Sequence, residues 1–184
     1  MKPVKVGICG LGTVGGGTFN VLTRNAKEIA RRAGRDIIVS QVAMRHPNPD
    51  VTIGDVATTD DVQDVINNPD IDIVVELIGG YTVAKDVVMG AIANGKHVVT
   101  ANKALIAVHG EEIFAAAEEK GVSVMYEAAV AGGIPVIKGL SEGAAANAID
   151  RVYGILNGTC NYILSTMEDT GADFGDVLAD AQRL

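Results

Sequence analysis

Three glycines, Gly10, Gly12 and Gly15, stand directly behind the apolar run Val4, Val6, Ile8. This spacing suits the seating of a dinucleotide pyrophosphate. Gly10 permits a tight turn, Gly12 lets backbone approach the phosphates, and Gly15 lets the following helix pack close to the strand. Leu11, Thr13 and Val14 fill the intervening positions, and the N–H groups that open the helix face the negative charge. A purely structural glycine turn uses the same residues. The placement between an apolar strand and a helix favours the dinucleotide.

Four further places could carry chemistry. Lys103 lies in Thr100-Ala101-Asn102-Lys103-Ala104, just beyond a strand and in the first turn of a helix. A cation there opposes the helix dipole, where Asp or Glu would gain from it. Such a lysine either has a task, here hydrogen bonding near a reacting oxygen, or faces solvent at negligible cost. Asn102 is placed to cap the helix or fix the loop. Glu127 ends a strand ahead of the nearly uncharged segment from Ala128 to Ile134. Its carboxylate needs either nearby backbone N–H donors, the simpler reading, or a small hard cation shared with backbone carbonyls. Gly79 and Gly80 follow a buried strand where a nicotinamide riboside would lie, or they make an ordinary strand-to-helix turn. Where strict NAD binders carry Asp or Glu after the second strand, this chain has Arg45 and His46. Arg45 either neutralises an adenosine 2′-phosphate, favouring NADP or dual use, or is a solvated arginine beside the turn.

Other site chemistries find no support. His46, His97 and His109 are dispersed, which argues against zinc, and no serine sits in a nucleophile elbow. Cys9 and Cys160 are too few for a disulfide scaffold and too distant for a Cys-x-x-Cys pair; Cys9 reads as a buried thiol.

The elements that must position these residues alternate. Strands are expected at 4–9, 37–44, 71–75, 97–100 and 122–125, with helices at 13–32, 62–66, 83–91 and 102–120 between or after them. That rhythm predicts an α/β fold with a doubly wound, mostly parallel Rossmann-type sheet over residues 1–132. From residue 133 the rhythm changes: a helix near Pro135, an apolar strand at 149–156 and helices from Cys160 and Asp173 suggest an incomplete α+β second domain. The chain ends inside or at the end of an element, which suggests truncation.

The 184 residues, 48% hydrophobic, suffice for one full core and part of another. A net charge of −8 and only 4% aromatics argue against nucleic-acid or acidic-membrane partners. No apolar stretch approaches the roughly 18 residues of a membrane span, so a cytoplasmic location is expected.

Taken together the motifs resemble homoserine dehydrogenase over essentially all of the chain. The strings that carry the likeness are residues 6–15, Glu76-Leu77-Ile78-Gly79-Gly80, Thr100-Ala101-Asn102-Lys103-Ala104, residues 126–135 and residues 154–164. The last two, in this order and spacing, are specific to the family; Cys160 stands where threonine is common. The resemblance implies NAD(P)-dependent interconversion of L-homoserine and L-aspartate 4-semialdehyde, a step of threonine, methionine and isoleucine biosynthesis. It implies that Gly12, Thr13 and Val14 touch the cofactor phosphates, that Arg45 lies near the adenosine end, and that Lys103 approaches nicotinamide and substrate. It also implies a sodium site from Glu127 and the carbonyls of Val130, Gly132 and Ile134, and a homo-oligomer for the full-length protein. The family's substrate-binding acids and proton-transferring lysine lie beyond Leu184, so the chain alone is expected to be inactive or weak. Two other readings are a nucleotide-binding regulatory module without turnover and a dehydrogenase for another small carbonyl.

Overall fold

Apolar runs rich in Val and Ile form most of the strands: β1 (Val4–Cys9), β2 (Ile37–Ala43), β3 (Ala57–Thr59), β4 (Ile73–Glu76), β5 (His97–Thr100) and β6 (Val124–Met125). In the computed structural model, which describes residues 1–184, they pair in the order β3-β2-β1-β4-β5-β6, and every pair is parallel. Parallel neighbours need crossovers, supplied by α1 (Thr13–Arg24), α2 (Ala26–Ala33), α3 (Val62–Ile66), α4 (Val83–Ala93) and α5 (Lys103–Lys120). The chain reverses direction across the sheet between β1 and β4, where ligands of doubly wound sheets bind.

Alternation along the strands builds two cores. Val6 and Ile8 of β1 pack with Val39, Val42, Val75 and Phe19 of α1. Cys9, Ala43 and Val74 point the other way, into α3, α4 and α5 through Val65, Val87, Val88, Leu105 and Ile113. Each fully buried Val or Ile contributes roughly 1.5–3 kcal/mol relative to exposure. The register aligns the strand ends: Cys9 sits opposite both Ala43 and Glu76, and Glu76 opposite Thr100. The loops that follow these strands therefore emerge at one edge.

The structure differs from, or adds to, these expectations in detail. The helix expected over 13–32 is broken at Asn25 (φ −101°, ψ 15°), a residue whose side chain competes for backbone bonds and favours helix ends. β3 is a strand that pattern reading misses, because three residues cannot show a period and Ala57 and Thr58 are exposed. α3 is capped by Asp61, whose carboxylate accepts the Gln63 N–H at 2.8 Å.

The chain divides into two compact units, Met1–Ala129 and Val130–Leu184. The second contains α6 (Val136–Lys138), continuing as a π turn over Gly139–Gly143, then α7 (Gly158–Thr170) and α8 (Phe174–Arg183). The strand expected at 149–156 does not form. A strand needs a neighbour for its backbone bonds, and no other strand occurs in residues 130–184. Tyr153 and Ile155 are accordingly 81% and 69% exposed. α7 and α8 pack on each other, with Ile163 and Val177 buried, and the Tyr162 hydroxyl donates to Asp180 at 2.5 Å. No helix of the chain is long and apolar enough to cross a membrane.

Candidate functional site

β1 ends at Cys9, and Gly10 turns the chain with φ 98°. A Cβ on Gly10 would lie 2.6 Å from the Leu77 carbonyl oxygen, and one on Gly15 would lie 2.0 Å from the Gly10 carbonyl oxygen. These two glycines are filled in from the protein side. Gly12 is the opposite case: nothing lies within 4 Å of where its Cβ would be. It caps α1 in an extended conformation with no side-chain acceptor, so the first N–H groups of the helix have no cap from that residue. The open side of the glycine loop faces a cleft.

That cleft has a volume of about 900 Å³, within the range of small-molecule sites. Its walls bring together Gly10, Leu11, Gly12, Thr13, Arg45 and Gly79 from the loops after β1, β2 and β4. Arg45 is exposed, two residues beyond the end of β2. Val14 and Gly15 lie within the first turn of α1 but do not line the cleft, Gly15 because it is buried against Gly10. Gly80 and Lys103 are also outside its walls.

Lys103 is the first residue of α5 and is exposed, with no acidic side chain in that turn. Asn102 is the cap: its Oδ1 accepts the Leu105 N–H at 3.1 Å, and its Nδ2 donates to the Gly80 carbonyl at 2.5 Å. Both roles offered for Asn102 by the sequence are therefore filled by one side chain.

Two functional neighbours escape sequence reading. Asn48, within the Pro47-Asn48-Pro49 turn, donates from Nδ2 to the carbonyls of Leu11 (2.9 Å) and Gly12 (3.2 Å). It docks the loop after β2 onto the glycine loop, and Asn between two prolines was the available signal. Glu76 is fully buried at the end of β4. Its Oε1 accepts the N–H groups of Ile78 (2.8 Å) and Gly79 (3.2 Å), and its Oε2 accepts the Thr100 hydroxyl at 2.6 Å. Thr100 Oγ1 accepts the Asn102 N–H at 3.0 Å.

Glu127 lies in a 3₁₀ turn, Glu127–Ala129, that closes the first unit; Val130, Gly132 and Ile134 belong to the loop that opens the second. Ala131 between them has φ 46°, the left-handed region. No three His, Cys, Asp or Glu side chains converge anywhere in the chain to hold a metal.

Neither cysteine behaves as an activated nucleophile in this cleft. Burial, reinforced by the Glu76 charge, pushes the Cys9 thiol up to about 12. Cys160 is exposed in the first turn of α7, in the second unit. Alkylation by iodoacetamide near neutral pH is expected to label Cys160 in the native chain and Cys9 only after denaturation. Mass spectrometry reads the result, and native labelling of Cys9 would contradict its burial.

Known proteins match along the whole chain. A family model described as the NAD binding domain of homoserine dehydrogenase matches residues 10–127, and one described as homoserine dehydrogenase matches residues 135–184. A homoserine dehydrogenase of Pseudomonas aeruginosa is 68% identical over 184 residues, covering all of this chain and 42% of that protein. The crystal structure of a homoserine dehydrogenase from Thiobacillus denitrificans, 60% identical, superposes with a TM-score of 0.83 over 100% of this chain and 43% of its own. That of the S. aureus enzyme at pH 7.5 is 35% identical, with a TM-score of 0.74, over 99% of this chain and 44% of its own. The chain thus spans less than half the length of these relatives. With a glycine loop, a parallel sheet and two family models in succession, the chain belongs to the homoserine dehydrogenase family, and residues 10–127 are its NAD-binding domain.

Proposed function

We propose that this chain is the cofactor-binding part of an NAD(P)-dependent homoserine dehydrogenase, which interconverts L-homoserine and L-aspartate 4-semialdehyde. The observation that carries the reading is the open face of Gly12. It leaves the N–H end of α1 accessible to a pyrophosphate in a cleft of about 900 Å³. Bound NAD(P)⁺ supplies the hydride acceptor.

Backbone N–H groups of Thr13 and Val14 hold the phosphates; Gly12 keeps the approach free, while Gly10 and Gly15 shape the turn and its packing from the protein side. Arg45 lies at the adenosine end, where a guanidinium matches a 2′-phosphate. Gly79 and Gly80 border the nicotinamide half. Lys103 orients the substrate oxygen through its ammonium group, and the proton of that hydroxyl passes to a base outside these residues. Replacing Arg45 by Ala should raise the Kd for NADPH about tenfold, as for loss of one charge-assisted bond, and leave NADH binding unchanged. Fluorescence titration measures both, and an equal loss for the two cofactors would contradict the assignment.

Glu127 with the carbonyls of Val130, Gly132 and Ile134 is assigned to a monovalent cation, sodium. An all-oxygen donor set suits a hard ion, and the left-handed Ala131 marks a loop held in an unusual shape. Exposed Val152, Tyr153, Ile155, Leu156 and Leu164 support burial against further protein, in a homo-oligomer of the full-length chain. Homoserine-dependent formation of reduced nicotinamide by the full-length protein, followed by absorbance, tests the activity. The 184-residue chain alone is expected to bind cofactor with little or no turnover. A full-length protein that binds the cofactor but never oxidises homoserine would favour a regulatory module.

A further inference from the structure

We propose that Glu76 is a positioning residue whose buried carboxylate sets the 78–80 loop and the Lys103 end of α5 against each other, so that it governs turnover more than cofactor affinity. This rests on the activity proposed above.

The bonds close into a ring. From Glu76 they run to the N–H groups of Ile78 and Gly79, along the chain to the Gly80 carbonyl, and across to the Asn102 side chain. They return through the Asn102 N–H to Thr100 Oγ1, and from the Thr100 hydroxyl to Glu76. Two loops from neighbouring strands thereby share one anchor, and a displacement of either is passed to the other. Asn102 is also the cap of the helix on which Lys103 is the first residue, so the ring reaches that lysine through a single peptide.

The cost of this arrangement argues for a task. Glu76 is fully buried, beside Val74 and Val75 in a strand that could end in another apolar side chain. A carboxylate withdrawn from water is expensive unless its oxygens are well supplied with donors. Here the three donors belong to the loop and to the residue that orients the α5 cap, not to the hydrophobic core. The loop they hold has positive φ at both Gly79 (86°) and Gly80 (68°), a shape that the Glu76 carboxylate and the Asn102 amide fasten from two sides. The bonds are spent on the edge of the sheet where cofactor and substrate meet.

The experiment uses the full-length protein. Glu76→Gln and Thr100→Val should each lower kcat for homoserine oxidation about tenfold to a hundredfold, the range that misplacement by about 1 Å costs a reaction. The Kd for NADPH should stay within about twofold. Thr100→Ser, which keeps the hydroxyl, should restore kcat. Thr100→Val combined with Lys103→Ala should cost less than the product of the two single effects, because the first acts through the second. Should Glu76→Gln fail to fold, the Thr100 variants carry the test. A fall in melting temperature with unchanged kcat, or no rescue by Thr100→Ser, would overturn the proposal. Absence of turnover in the unsubstituted protein would instead refute the activity on which it rests.

Discussion

Gly12→Ala is expected to abolish dinucleotide binding while leaving the chain folded. Nothing in the protein lies within 4 Å of the added methyl group, and the residue's φ of −68° lies outside the left-handed region that favours glycine. The stability cost is therefore that of alanine at a helix N-cap, about 1 kcal/mol or less. The methyl instead occupies the space through which phosphate oxygens reach the α1 amides. Loss of two charge-assisted bonds, about 1.5–3 kcal/mol each, predicts an affinity at least about a hundredfold weaker. Gly15→Ala supplies the contrast. Its Cβ would meet the Gly10 carbonyl oxygen at 2.0 Å and the carbonyl carbon at 2.8 Å, and backbone cannot swing aside as a flexible side chain could. That variant should lose stability by about 1–3 kcal/mol or more, visible as a lower melting temperature even without ligand. Equal unfolding by both variants would mean that Gly12 is structural and that its open face has another cause.

Lys103→Ala in the full-length protein should show the reverse pattern, with affinity kept and turnover lost. An ammonium group whose bond to the substrate oxygen strengthens in the transition state contributes about 2–4 kcal/mol, or roughly thirtyfold to a thousandfold in kcat. The exposed position at the start of α5 makes the substitution safe for the fold, and removal of a cation from the positive end of the helix dipole is mildly stabilising. The cofactor Kd should shift by no more than a small factor. A large rise in that Kd at constant kcat would move Lys103 from the reacting centre to cofactor binding.

The features legible in the sequence were those with a local cause. The turn at Gly10, the closeness at Gly15 and the start of α5 follow from glycine sterics, apolar periodicity and the Asn102 cap, each contained within a few neighbouring residues. Contacts made across the sheet were not legible in this way. Asn48 reaches Leu11 from 37 positions away and Thr100 reaches Glu76 from 24, distances over which a single sequence carries no periodic signal. Glu76 looks in the sequence like the polar end of a strand, and only the register that places it opposite Cys9 and Thr100 reveals a buried anchor. Residues 149–156 illustrate the converse. Their apolar pattern fits a strand, yet without a pairing neighbour the backbone stays irregular and Tyr153 is exposed.

Titration of the 184-residue chain with NADPH, followed by the backbone amide resonances, tests the whole account most directly. Saturable binding that moves the amides of residues 10–15, with smaller shifts around Arg45 and Gly79, is the expected outcome. No association at millimolar cofactor, or saturable shifts confined to a surface away from the first glycine loop, would contradict it.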